Sequence, residues 1–158
     1  MRLSLRTVLR WLPAVAWMAT IFYFSHQPGG ESGEFSKWVL DQLAGIGLDL
    51  RAWFGVHAFV VVRKAAHAFE YFVLCGLLLL ALRNWAWPRR GWAAWGLASA
   101  YACSDEFHQL FIPLRVGDIQ DVMIDSLGAA LMLGLFALLR WGLKKWRGAQ
   151  HSVPNQAK

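Results

Sequence analysis

Histidines, carboxylates and neighbouring polar side chains recur at helical spacing in three stretches of this chain. The first holds Arg63, Lys64, His67, Glu70 and Tyr71. The second holds Tyr101, Ser104, Asp105, Glu106, His108 and Gln109, and the third Asp118, Asp121 and Asp125. Imidazole and carboxyl groups held together can act as general acid and base, and the same groups can ligate a divalent metal. His67, Glu70, Asp105, Glu106, His108 and Asp125 are the candidates for catalysis. Lys64, Tyr71, Gln109, Arg115, Asp118 and Asp121 are the candidates for ligand binding. A divalent metal is a cofactor these residue types allow, but their spacing matches no diagnostic motif and leaves the ion and its ligands open. The sequence has no H-E-x-x-H, G-x-S-x-G or G-x-x-x-x-G-K-[ST] segment. Asp105-Glu106-Phe107-His108 matches a helicase box by letters alone, since it lies in an apolar helix with no phosphate loop.

Each candidate has a plainer reading. Asp118 and Asp121 open a helix, where capping and the macrodipole favour acids. Asp125 is two turns further in and gains little from that terminus. Asp105 and Glu106 approach a helix C-terminus, where the dipole disfavours them, so another interaction must hold them. Lys64 can snorkel to the interface and Arg115 can pair with an acid. Ser25 and His26 at the end of the first helix read as a polar helix exit, with joining the site as the alternative. Cys75 and Cys103 read as small packing residues inside apolar runs.

The elements that carry these residues are apolar. The chain has 158 residues, of which 57% are hydrophobic and only 16% charged, with ten Trp and ten Phe. A soluble domain is about a quarter charged. The composition therefore points to a bilayer as solvent and to one domain. Four apolar segments stand out: Val8 to Phe24, Val56 to Leu82, Gly91 to Ile112 and Asp118 to Trp141. The clean apolar parts of the second and third are too short to cross alone, because about 20 residues are needed. Their polar residues must then lie within the helices, near one end.

The expected fold is all-α: a four-helix transmembrane bundle with a short amphipathic helix in the outer loop between the first two helices. Phe35, Trp38, Val39, Gln42 and Leu43 form that helix's stripe, which either lies on the membrane or caps the bundle. Gly128, Ala129, Ala130 and Gly134 read as general close packing between membrane helices. Residues 1–147 form the membrane domain, and 148–158 read as a polar, disordered cytoplasmic tail.

Four crossings place 11 of the 16 basic residues on one side, Arg2, Arg6, Arg10, Arg83, Arg89, Arg90 and Arg140 among them. That side is cytoplasmic by the positive-inside rule, and both termini are then inside. The outer side carries five basic residues and all ten acids, a balance of −5. Its natural partners are then cations, metals or amine-bearing ligands and not nucleic acid.

On a wheel of 100° per residue, Arg63, His67 and Glu70 span an arc of about 60°, the Tyr101 to Gln109 set about 140°, and Asp118, Asp121, Asp125 and Gly128 about 80°. Glu106 falls about 60° outside its set. An intramembrane charge costs at least about 2.5 kcal/mol, so these stripes should face one another in a single outward-facing pocket. Arg63, Lys64, Arg115 or a bound cation would offset the crowded acids, with one or more of them protonated otherwise.

The motifs are familiar in sequence. Phe22-Tyr23-Phe24-Ser25-His26-Gln27-Pro28-Gly29, Arg63-Lys64-Ala65-Ala66-His67-Ala68-Phe69-Glu70-Tyr71, the run Tyr101 to Phe111 and the run Arg115 to Gly128 occur in order. Together they resemble the VanZ-like family over most of the chain. The resemblance implies a small multi-helix bacterial membrane protein, in a family whose founding member is linked to low-level teicoplanin resistance. Where that family more often has a Pro-Gly-Arg turn, this chain reads Pro113-Leu114-Arg115. Two functions fit. One is an envelope protein that binds a lipid-linked or cell-wall ligand. The other is a membrane-embedded, metal-dependent hydrolase or transferase acting on a lipid-linked substrate at the outer leaflet. A proton or ion relay is a weaker third.

Overall fold

The computed structural model describes residues 5–115 and 117–151. All regular structure among them is helical: α1 (Leu5–Ser25), α2 (Gly29–Gly45), α3 (Leu50–Phe54), a 3-10 turn at Gly55–His57, α4 (Ala58–Ala81), α5 (Arg89–Gln109) and α6 (Ile119–His151). α6 runs ten residues past Trp141 and continues through Gly148, where sequence composition suggested the start of a disordered tail. The rest of that tail, 152–158, lies outside the described residues, as do Arg2 and Lys158.

α4 is the central helix, with α1, α5 and α6 packed around it. Its Tyr71, Leu74, Cys75, Leu78 and Leu79 meet Ala14 and Ile21 of α1, Ala94, Ala98 and Ala102 of α5, and Ala129 of α6. The three α5 alanines recur every fourth residue and give it a flat face that lies close to its neighbours. Polar ties fix the helices axially. Trp17 Nε1 donates to the Glu70 carbonyl at 2.9 Å, Trp95 Nε1 to that of Ser126 at 3.1 Å, and the Tyr101 hydroxyl to that of Met18 at 2.7 Å. The outer faces are apolar: Val8, Leu12 and Val15 on α1 and Met123, Leu127, Leu131 and Leu138 on α6 are more than half exposed. Such a surface suits acyl chains, not water.

Three segments are long and apolar enough to cross a membrane: Leu5–Ser25, Leu50–Ala81 and Ile119–Arg147. α5, the remaining helix of the expected four, does not reach that mark by composition. Its polar side chains are turned inward: Arg90, Asp105, Glu106 and Gln109 are buried, while Trp92, Leu97 and Phe107 face out. Arg90 is thus not the free loop cation its position suggested. Its Nε donates to the Leu79 carbonyl at 2.7 Å and its guanidinium lies 4.9 Å from the Phe136 ring centre.

The helix of the long connection is present as α2, and of the stripe read in sequence Val39 packs inward beside a buried row. Ser36 and Leu40 are buried, Leu40 against Ala58 and Val62 of α4. Phe35 and Trp38, 51% and 57% exposed, face outward, as does Gln42. Near lipid, bulky aromatic residues do not have to be the buried ones. α2 therefore caps the bundle with one face and leaves Trp38 on its outer side, with the Phe35 ring 6.1 Å from that of Phe24 at the edge. Asp49 caps α3, accepting from the backbone N–H groups of Arg51 and Ala52.

Candidate functional site

The polar stripes meet where α4 begins, α5 ends, α6 begins and α1 exits. α4 and α6 cross in backbone contact: a Cβ added at Gly128 would overlap the Ala68 carbonyl. That contact brings the first turns of α6 against the second and third turns of α4. Lys64 Nζ reaches Asp121 Oδ1 at 2.6 Å, and one turn along, His67 Nδ1 lies 3.6 Å from Asp125 Oδ1. The second distance is that of an ion pair, longer than a hydrogen bond.

Asp118 caps α6, its Oδ1 accepting from the Gln120 N–H at 2.9 Å. Its own backbone N–H donates to Glu106 Oε2 at 2.9 Å, joining α5 to α6. Gln109 is fully buried and its Nε2 donates to Glu106 Oε1 at 3.2 Å and Asp105 Oδ2 at 3.3 Å. One amide thereby holds both acids of the Asp-Glu pair. Glu106, the outlier of its helical wheel, is buried and turned into the cluster, with ligand atoms of His67, Glu106 and Asp125 all within 4.8 Å of one another. Asp125 is fully buried and neither carboxylate oxygen has a hydrogen-bond partner. The same holds for the Tyr71 hydroxyl.

Beside this cluster lies a cavity of about 240 Å³ between α1, α2 and α4. Trp17, Ile21, Phe24, Phe35 and Phe69 form its apolar wall, and Arg63, His67, Glu70, Asp105 and Arg115 its polar one. The single stripe read on α4 therefore divides. Lys64 and His67 engage α6, Arg63 and Glu70 face the cavity, and His67 belongs to both. The acids of α5 divide likewise, Asp105 towards the cavity and Glu106 towards α6.

Two candidates have partners other than the acids and bases expected. His108 is turned to α1, its Nε2 3.2 Å from His26 Nδ1 and its ring stacked on Phe22 at 4.6 Å. Arg115 forms no ion pair with an acid among the described residues. It donates from Nε to the Gln27 carbonyl at 3.1 Å and from a terminal nitrogen to that of Phe24 at 3.2 Å. It thus closes the frayed end of α1 while lining the cavity. Of the two readings the sequence left for the exit of α1, a plain polar helix end or a part of the site, the geometry fits the second: Ser25 is buried in the cavity wall and His26 meets His108. The adjacent Ser-His pair at a helix end was the signal for it. Trp17, Ser36 and Ala66, also in the cavity lining, carried no such signal.

The turn between α5 and α6 keeps its arginine without the glycine. Leu114 takes that position's left-handed backbone, φ 59°, with its side chain 85% exposed. Gly117 is needed for space, since a Cβ there would press on the Glu106 carbonyl oxygen at 2.6 Å.

Comparison with known proteins adds the relationship. The chain is similar to the uncharacterized membrane protein YwnJ of Bacillus subtilis (strain 168), with 37% identity over 81 residues, 50% of this chain and 51% of that protein. The matched segment thus spans about half the length of that curated relative. No solved structure matches. The VanZ/LLP1 family model matches residues 10–140, which include every site residue named above. With that match across most of its length, and helices fit to span a bilayer, the chain is a membrane protein that belongs to the VanZ/LLP1 family.

Proposed function

We propose that this protein is an inner-membrane protein of the bacterial envelope that binds the head group of an amphipathic lipid-linked or cell-wall ligand at its outer face. The observation that carries this reading is the two-sided cavity, with five apolar side chains on one wall and Arg63, His67, Glu70, Asp105 and Arg115 on the other. Ligand sites commonly pair apolar walls with a few fixed polar groups. At about 240 Å³ the cavity takes a head group and not a whole glycopeptide. A contribution to teicoplanin-type resistance then runs through the lipid or cell-wall ligand that is held, not through capture of the antibiotic. The orientation rests on the basic residues at the far end of the bundle, which favour the cytoplasm. The partners are lipid or envelope ligands, and nucleic acid is not among them.

The second reading, chemistry on the bound head group by a hydrolase or transferase, is favoured by His67. It lines the cavity and lies 3.6 Å from Asp125. Imidazole backed by carboxylate is an arrangement suited to general acid–base work. Photo-crosslinking tests the binding reading. A photoreactive residue at Phe35 should capture envelope lipid in cells, and Glu70→Gln with Asp105→Asn should abolish that adduct. An undiminished adduct in the double variant would sink the reading. A cleaved or transferred head group among the captured lipids, absent in His67→Ala, would select the enzyme.

A further inference from the structure

We infer that His67, Glu106 and Asp125 form a binding site for one divalent transition-metal ion, of the Zn²⁺ or Mn²⁺ class. This goes beyond the head-group reading and does not depend on it. The three side chains come from α4, α5 and α6, and their ligand atoms lie within 4.8 Å of one another. Four-coordinate N/O ligands about 2.1 Å from an ion sit about 3.4 Å apart, so the His67–Asp125 separation of 3.6 Å is already near that edge. The remaining adjustment is a side-chain movement.

A carboxylate cluster alone would not make a site, and a second observation supplies the need for an ion. Asp125 is 0% exposed and both of its oxygens lack a hydrogen-bond partner, as does His67 Nδ1 facing it. Among the described residues, no lysine or arginine forms an ion pair with Asp125 or Glu106, and Lys64 is spent on Asp121. Two buried carboxylates without a cation are costly in protein and more so at membrane depth. An ion between them and His67 removes that cost.

The outer shell is also in place. Glu106 is held from both sides, by Gln109 Nε2 and by the Asp118 N–H, which fixes its plane as a ligand's partners do. One imidazole with two carboxylates suits Zn²⁺ or Mn²⁺ better than Mg²⁺ or Ca²⁺, which prefer all-oxygen sets. Three protein ligands leave coordination positions open, and His67 borders the cavity, so a bound head group would have access to the ion.

The test uses the full chain, purified in detergent and stripped with a chelator. Zn²⁺, Mn²⁺, Mg²⁺ and Ca²⁺ are titrated separately, with bound metal and thermal unfolding both read. About one equivalent of Zn²⁺ or Mn²⁺ should bind and raise the unfolding temperature. Asp125→Asn and Glu106→Gln, each close in shape to the original, should weaken binding at least about 100-fold and lose the thermal response, while Gln109→Leu, which removes the donor to Glu106 without adding charge, should weaken it about 10-fold to 100-fold. Substoichiometric uptake by the wild type, equal binding by wild type and Glu106→Gln, or a response to Mg²⁺ and Ca²⁺ alone would overturn the assignment. No lipid takes part, so failure here leaves the head-group reading intact, and loss of the Phe35 crosslink leaves the metal site intact.

Discussion

Gly128 of α6 sits on the peptide of Ala68 in α4, one residue beyond His67 and three beyond Asp125, with no room for a Cβ. This contact sets the distance across which the histidine and the aspartate face each other. Gly128→Ala should force the helices apart and cost about 1–3 kcal/mol, as overpacking does. Gly134, on the same helix, would meet nothing within 4 Å, so Gly134→Ala should be neutral or slightly stabilising. Thermal unfolding in detergent separates the two, and equal effects would show that the contact is slack.

The Lys64–Asp121 pair makes a second case. Asp121 is buried and Lys64 is about one-third exposed along its side chain. Lys64→Met should leave an uncompensated acid and destabilise by about 2 kcal/mol, within the range for charged hydrogen bonds. Lys64→Met with Asp121→Leu should recover part of that loss, since removing both partners removes the burial cost. A double variant as damaged as the sum of its parts would mean that the two side chains are not coupled.

Much of this arrangement was legible in sequence because the helical period is strict. Lys64 and His67 recur with Asp121 and Asp125 at helical spacing, and a membrane penalises such groups unless they meet. What was hidden depended on contacts between elements. The wheel placed His108 with Asp105, but its neighbours on α1 turn it to His26. Glu106 fell outside its wheel sector and was drawn inward by a backbone N–H of another helix. Gly128 and Gly134 are alike as small residues, and only the crossing point distinguishes them. The stripe of Phe35 and Trp38 on α2 fitted either a membrane-facing or a bundle-capping helix, and the sequence did not choose between them. Their exposure beside a membrane follows from the change of solvent.

Leu114 carries backbone strain that glycine would not. A left-handed conformation costs a residue with a Cβ about 1–2 kcal/mol, and this side chain is too exposed to gain it back by packing. Part of any gain from Leu114→Gly is lost to the entropy of the unfolded chain, about 0.5–1 kcal/mol. The substitution should therefore stabilise by up to about 1 kcal/mol, seen as a higher unfolding temperature. A fall in that temperature would place the cost of the turn elsewhere.

Asp118 and Asp125 share a stripe but not an environment. Asp118 accepts a single capping bond from Gln120, which an asparagine oxygen can also accept. Asp118→Asn should keep near wild-type stability and function, and Asp118→Ala should cost about 1 kcal/mol. Asp125→Asn keeps the shape but removes the charge that faces His67. In any assay of resistance or lipid capture it should be the more damaging of the two Asn variants. The reverse order would make the α6 cap, not the buried aspartate, the functional element.

The membrane path of α5 decides the topology. Its 21 residues give about 31 Å at 1.5 Å per residue, enough for a hydrocarbon core of about 30 Å. Its low hydropathy comes from the side that the bundle covers, where Arg90, Asp105, Glu106 and Gln109 are buried. The side left for lipid presents Trp92, Leu97, Cys103 and Phe107. Such a helix is polar inside and apolar outside, which is how an intramembrane polar residue is tolerated. We expect α5 to cross, making four crossings with both termini cytoplasmic. Reporters fused after Trp87 and after Gly148 should then read as inside, and one after Leu114 as outside. If α5 stays on one face, the reporters after Trp87 and Leu114 will read alike and the one after Gly148 opposite.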